Sequence, residues 1–230
     1  MSKTMQGAFD MTYHHIDAPT VQDDEWGKVH KQRRLVIPYD HKNTAENFYR
    51  SDLLQYLSDS PWLWTRKIDG ANLRVQWDGE QALWNGKSNN FQCSAALTEY
   101  MNNTFLEEIF EEKFGREKTV TLFGEHMGPK VQGNELGLGG DEFILYDVNV
   151  DGTWLSASNV SQIAEYFGLR TVYELGAGVD TLSNLIKRVS DGSFRDWEGI
   201  VARPLVEVRD QNNHRVIVKI KNKDYLREEN

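Results

Sequence analysis

Thr65-Arg66-Lys67-Ile68-Asp69-Gly70-Ala71-Asn72 is the stretch whose reading decides the fold. Trp62-Leu63-Trp64 before it reads as a buried strand end. After it, Leu73, Val75 and Trp77 alternate with Arg74, Gln76 and Asp78, the period of two that marks a strand with one face in a core. Lys67 therefore falls at a bend between two apolar strands, with Gly70 permitting the bend. A lysine so placed is close to a core yet open to a cleft. It gives up its proton more readily than a surface lysine, and the neutral amine is a nucleophile. A solvated lysine beside an Asp-Gly turn gives the same tetrapeptide, so these four residues alone do not separate the two readings.

Upstream, Lys28 to Arg34 gathers four basic residues and His30, either a solvated face or an edge that meets phosphates. Asn43 to Leu57 carries a helical stripe of Phe48, Leu53, Leu54 and Leu57. Downstream, Asp78-Gly79 signals a hairpin, Ala82-Leu83-Trp84 the returning strand, and Asn85-Gly86-Lys87-Ser88 the next turn. Ser94 predicts a helix start, Leu97, Met101, Phe105, Ile109 and Phe110 its apolar stripe, and Gly115 its end. Val120 to Glu125 and Phe143 to Val150 read as strands. The five-glycine segment between them, Gly128 to Gly140, opens no helix and lacks a Lys-Ser/Thr pair, so it reads as a plain surface loop. Helices are predicted from near Ser158 to Gly168 and from near Thr181 to Val189. The last strands are Glu198 to Arg203 and Arg215 to Lys221, joined by a turn at Asp210 to Asn213.

The composition sets outer bounds. With 230 residues, 39% of them hydrophobic, the chain can bury a substantial core. Its net charge of −9 means that any nucleic-acid contact comes from a local basic cluster. The single cysteine, Cys93, excludes a disulfide framework and fits a reducing cytoplasm. No apolar run approaches the roughly 18 residues of a membrane span, and residues 1–15 lack the apolar centre of a signal peptide. The histidines have no metal-ligand spacing.

The polar residues Lys67, Lys87, Glu125, Glu198, Lys219 and Lys221 stand at the edges of apolar strands rather than on long polar faces. Lys219 and Lys221 share one side of a strand because side chains repeat every two residues. Two such lysines either point to solvent or hold an anion between them, and a nucleotide phosphate would serve.

In this setting Lys67-Ile68-Asp69-Gly70, Phe123-Gly124-Glu125, the strand Phe143 to Val148, Glu198-Gly199-Ile200-Val201 and Val218-Lys219-Ile220-Lys221 resemble, in order, motifs I, III, IIIa, IV and V of the covalent nucleotidyltransferases. These are the polynucleotide ligases and messenger RNA capping enzymes. Asn72, where DNA ligases usually have arginine, brings the chain closer to RNA ligases of the RNA ligase 2 type. The resemblance implies an α+β fold of antiparallel sheets around a cleft, an ATP-grasp-like adenylation domain over residues 51–230. Residues 1–50 would be an appendage packing on it, with no OB domain following.

The implied activity is ATP-dependent joining of a 5′-phosphate to a 3′-hydroxyl through a lysyl-AMP, with Mg²⁺ or Mn²⁺. The expected substrates are RNA ends or a nicked duplex containing RNA. The enzyme would be a cytoplasmic monomer, compact enough for a phage-encoded protein. The resemblance gives Lys67 the nucleophile role, Glu198 the metal, Lys219 and Lys221 the α-phosphate and Glu125 the ribose. Tyr146 would stack on adenine, with Phe143 as its rival, and Arg66, Ile68, Asn72 and Lys87 would complete the nucleotide contacts. Neighbouring Lys219, Lys221 and a divalent ion would favour the neutral amine that Lys67 needs. Lys87 departs from the family, which usually has arginine there, and lysine cannot make the bidentate contact. A DNA ligase, a capping-type guanylyltransferase and a degenerate binding domain are the alternatives. Asn72 and the missing OB domain weigh against the first two, and the complete set of charged motif residues against the third.

Overall fold

The computed structural model describes residues 35–36, 49, 51–86, 91 and 93–225. Lys87, the basic run at 28–34 and most of the helix expected from Asn43 lie outside the described residues; of that helix, α1 covers Asp52–Tyr56, capped by Ser51.

The strands form two five-stranded sheets. The first contains β1 (Leu35–Val36), β2 (Pro61–Lys67), β8 (Ala177–Thr181), β9 (Gly199–Pro204) and β10 (Ile217–Lys221) in the order β1-β10-β9-β2-β8. All its pairs are antiparallel except β1 with β10. The second contains β3 (Ala71–Trp77), β4 (Ala82–Gly86), β5 (Val120–Met127), β6 (Glu142–Val150) and β7 (Thr153–Trp154) in the order β4-β3-β5-β6-β7, antiparallel throughout. The expected α+β fold of antiparallel sheets is what the chain adopts. Among the described residues no helix is long and apolar enough to cross a membrane.

Each sheet buries one face under helices, as the alternation of its strands dictates. In the first, Trp62, Trp64, Ile200, Ala202, Val218 and Ile220 pack on α6 (Leu182–Ser190) through Leu182, Leu185, Ile186 and Val189. In the second, Leu73, Val75, Trp77 and Leu122 pack on α2 (Ala95–Thr104), α3 (Glu107–Phe114) and α4 (Ala157–Phe167). The single helix predicted from Ser94 to Gly115 is two, broken at Phe105-Leu106. The break lets Phe105 meet Phe143 edge-on at 5.1 Å while Phe110 stacks on Trp77 at 5.7 Å, contacts that one straight helix would not give both rings. The short α5 (Val172–Leu175), β7, β8 and the terminal α7 (Asn222–Tyr225) carry too few residues for a periodic signal.

The chain passes between the sheets at Ile68-Asp69-Gly70, so Lys67 ends the first sheet and Ala71 begins the second. The bend expected at Lys67 is a crossover between sheets rather than a hairpin. Gly70 is required there: a Cβ would lie 2.4 Å from the His126 carbonyl oxygen. A second tie is ionic. Asp147 of β6, buried, takes Arg215 at 2.5 Å and Arg203 of β9 at 3.3 Å.

Gly199 has φ 149°, and a Cβ on it would meet the Ile220 carbonyl oxygen at 2.1 Å. Gly199→Ala is expected to lower stability by about 2 kcal/mol or more, through the disfavoured φ and forced separation of β9 from β10. Urea unfolding measures this, and a loss below about 0.5 kcal/mol would contradict it.

Candidate active site

Strand register brings three of the expected residues to one point. Lys67 of β2 and Lys221 of β10 are both cross-strand partners of Gly199 in β9, which lies between them. Glu198, immediately before Gly199, is thereby flanked on both sides. Lys67 Nζ donates to its Oε2 and Lys221 Nζ to its Oε1. Burial alone would raise the Glu198 carboxyl, but the hydrogen bonds from Lys221 and Lys67 outweigh it and hold the group below its usual range. Lys219 lies one row along the same face, opposite Val201. Burial, then the charges of Lys221 and Lys67, hold its ammonium below the ordinary lysine value.

Asn222 fixes Glu198 from behind. Its backbone N donates to the Glu198 carbonyl at 3.1 Å, and its Nδ2 donates to the Phe194 and Trp197 carbonyls at 2.6 Å each. The carboxylate thus stands on a loop pinned by the residue that follows Lys221.

The second group is on β3, β5 and β6. Asn72 is the cross-strand partner of Glu125, and its Nδ2 donates to the Tyr146 hydroxyl. A bulge places Tyr146. Phe123 pairs with Asp147 and Gly124 with Leu145, so Tyr146 is the extra residue, and β6 shows both Tyr146 and Asp147 on the face away from α2, α3 and α4. Phe143, the rival aromatic, is 1% exposed and packed in the helix-covered core, whereas Tyr146, 8% exposed, is on the Asn72 side. Ile68 is buried among Phe123, Met127, Ile144 and Tyr146, where it anchors the crossover.

Arg66 reaches a partner that the sequence did not reveal. Its guanidinium lies 5.4 Å from the Trp197 ring centroid and 3.6 Å from Glu135 Oε2, while Glu135 Oε1 accepts from the Asp69 backbone N at 3.2 Å. Glu135 therefore grips the chain on both sides of Lys67. It sits in the glycine-rich segment read as a plain surface loop. That loop folds back because Asn134 bonds both ways with Leu138 and because Leu136 and Leu138 pack on the Ile68 cluster. No local signal marks Glu135 or Trp197; Asn222 had one cue, its adjacency to Lys221.

A cavity of about 400 Å³ lies elsewhere, lined by Leu63, Trp154, Arg203, Glu207 and Arg215 among others and by none of the expected site residues. Its arginines are already engaged, Arg203 by Asp147 and Arg215 by Asp147 and Glu207.

Among the described residues no three His, Cys, Asp or Glu side chains form a metal cage. One carboxylate beside lysines nevertheless suits Mg²⁺ or Mn²⁺ held partly by ligand oxygens and water, because such hard ions are commonly bound by one or two carboxylates plus phosphates.

A family model described as RNA ligase matches residues 60–221. Among solved structures, Naegleria gruberi RNA ligase is similar in a lysine-to-alanine mutant with ATP and Mn: TM-score 0.56 and 16% identity, over 74% of this chain and 52% of that one. A glutamate-to-alanine mutant with AMP and Mn gives TM-score 0.58 and 14% identity, over 84% and 57%. An archaeal ATP-dependent RNA ligase gives TM-score 0.53 and 16% identity, over 76% and 46%. This chain thus spans about half the length of these ligases, and the likeness is one of fold. No curated protein sequence matches it.

Because the folded value of Glu198 is lowered, its stabilisation is complete above the unfolded carboxyl value of about 4.3 and is lost as pH falls through the folded one. Glu198→Gln is therefore expected to destabilise the chain by a constant amount above about pH 5 and progressively less below it. Thermal unfolding of both chains across that range is the measurement; a gap that widens in acid would contradict the ion-pair geometry.

Proposed function

The chain belongs to the RNA ligase family, and we propose that it is an ATP-dependent RNA ligase that works through a lysyl-AMP on Lys67. The observation that carries this is the placement of Lys67 at the crossover, in contact with Glu198 and on the same sheet face as Lys219 and Lys221.

In this reading the Lys67 amine attacks the α-phosphorus of ATP. An N–P bond forms, the bond to pyrophosphate breaks, and the amine gives up its remaining extra proton. The amine must be neutral first, so its proton leaves the Glu198 pair before attack. Lys219 and Lys221 meet the phosphate oxygens as charge builds on them. Glu198 would hold Mg²⁺ or Mn²⁺, which supplies charge neutralisation at the phosphates. Tyr146 offers a face to adenine and Glu125 a carboxylate to the ribose. Arg66, Ile68 and Asn72 shape the nucleotide side, and Lys87 remains an expected contact. The AMP then passes to a 5′-phosphate end, and a 3′-hydroxyl displaces it to seal RNA. The domain division at residue 50, a monomeric state, action at nicks and a cytoplasmic, phage-encoded setting belong to the same proposal.

Incubation with radiolabelled ATP and Mg²⁺, then denaturing electrophoresis, tests it. The wild-type chain is expected to carry acid-labile label from ATP and not from GTP. Lys67→Arg is expected to carry none, because arginine stays protonated at any usable pH. Covalent label on Lys67→Arg would remove Lys67 from the nucleophile role, and label from GTP alone would point to capping chemistry.

Lys219→Met separates function from fold. It removes a cation that the fold holds against burial and two like charges, so unfolding temperature should hold or rise. Label transfer should fall by about two orders of magnitude or more. A variant that loses stability and keeps its label would reverse the assignment.

A further inference from the structure

The inner face of the second sheet continues beyond Asn72, and its next residue is unusual. Arg74 follows Asn72 at the same-face spacing of two, with Phe123 and Asn85 as cross-strand partners. Among the described residues its side chain makes no ion pair and no hydrogen bond, and its Nε is buried without a partner. Burial alone lowers its guanidinium from the ordinary arginine value, with no carboxylate acting to restore it. The other partly buried arginines differ. Arg66 has Glu135, Arg203 has Asp147, and Arg215 has Asp147 and Glu207. Among the described residues Arg74 thus stands without a carboxylate, and an anion suits it. A buried charge without a counter-charge costs stability unless a ligand supplies it.

The surroundings fit the same ligand. Gln76 and Thr121 are cross-strand partners, as are Thr121 and Asn149, so a polar row crosses three strands on this face. The opposite face of the same strands is the large apolar core. Asn72 Oδ1 and Asn149 Nδ2 are also buried without partners, the latter while Asn149 Oδ1 accepts from Gly152 N at 2.9 Å. Asn72 and Arg74 are half-buried, whereas Gln76, Thr121 and Asn149 are buried beside them.

We propose that Arg74 binds a backbone phosphate of the RNA being sealed, with the buried polar row of Gln76, Thr121 and Asn149 as the layer beside it. This rests on the ligase reading above. A guanidinium suits the task because its fork matches two phosphate oxygens. RNA is favoured over the nucleotide's own phosphates by position. The lysines that would take those phosphates are on the first sheet, whereas Arg74 is on the second, about 7 Å further along β3 than Asn72.

The test uses the full chain with Arg74→Met, which keeps an apolar stem without the charge, and Arg74→Lys. Three quantities are read: covalent AMP from ATP, thermal unfolding, and affinity for a fluorescent RNA strand by anisotropy between about 50 and 200 mM salt. Arg74→Met is expected to unfold no lower than wild type and to take AMP at the wild-type rate. It should bind RNA about tenfold more weakly, with the salt slope reduced by about one contact's share, roughly 0.7. Arg74→Lys should keep the slope and recover part of the affinity. Unchanged affinity and slope in Arg74→Met would overturn the proposal. So would a lower unfolding temperature, which would make Arg74 structural, or a loss of AMP formation matching the loss of RNA affinity, which would assign the phosphate to the nucleotide. If the wild-type chain takes no AMP, the ligase reading fails, while RNA affinity and its salt slope still judge Arg74.

Discussion

One carboxylate holds the lysine face together. Lys67, Lys219 and Lys221 project from two strands onto one face of the first sheet, where their like charges repel. Glu198 answers two of the three, one oxygen each, and can do so because Gly199 sits opposite both lysines. The glycine lets β9 and β10 close without a side chain between them, and Asn222 pins the loop that carries the carboxylate. Backbone register, one positive φ and two amide hydrogen bonds thus set the position of a single anionic group.

The second constraint is that the site is divided between two sheets. Lys67 and Asn72 are five positions apart in sequence, yet each belongs to a different sheet, so their relation depends on the path through Ile68-Asp69-Gly70. Three features fix that path. Ile68 is buried in an apolar cluster, Gly70 passes close to the His126 carbonyl, and Glu135 holds Arg66 and the Asp69 amide. Further along, Asp147 joins the sheets through Arg203 and Arg215, and Arg203 also donates to the Tyr173 hydroxyl at 2.8 Å. The bulge that presents Tyr146 is also what turns Asp147 inward. Aromatic placement and inter-sheet anchoring therefore have one cause.

Period-two alternation made most of the strands legible, and the chain-order motifs supplied the fold and the charged group, since both are written in consecutive residues. What was not legible depends on contacts distant in sequence. The break at Phe105-Leu106 answers to Phe143 and Trp77, which a local helical stripe cannot register. Glu135 looked like loop because its partners, Arg66 and the Asp69 amide, lie nearly seventy positions upstream. The faces on which Tyr146 and Phe143 lie were hidden for the same reason. Simple alternation puts positions 143 and 147 on one face and 146 on the other, and only the bulge opposite Phe123-Gly124 puts Asp147 beside Tyr146.

The proposed roles of Lys219 and Arg74 would let an acidic protein favour anionic ligands locally. Net charge acts over distances that salt screens within about 10 Å, whereas Lys219 and Arg74 act on whatever touches them. Both are held in the fold at a cost, Lys219 by burial and two neighbouring lysines, Arg74 by burial without a counter-charge. A phosphate arriving at either removes a destabilising term as well as adding an attraction. Each group is therefore worth more to binding than its exposed equivalent would be, and its removal should relax the unliganded chain rather than weaken it. Structural ion pairs behave in the opposite way. Asp147 with Arg203 and Arg215 is satisfied before any ligand arrives, so breaking it exposes buried charge and gives nothing back to binding. The sign of the stability change on mutation thus distinguishes, within one fold, the cations that hold the protein together from those proposed to meet a phosphate.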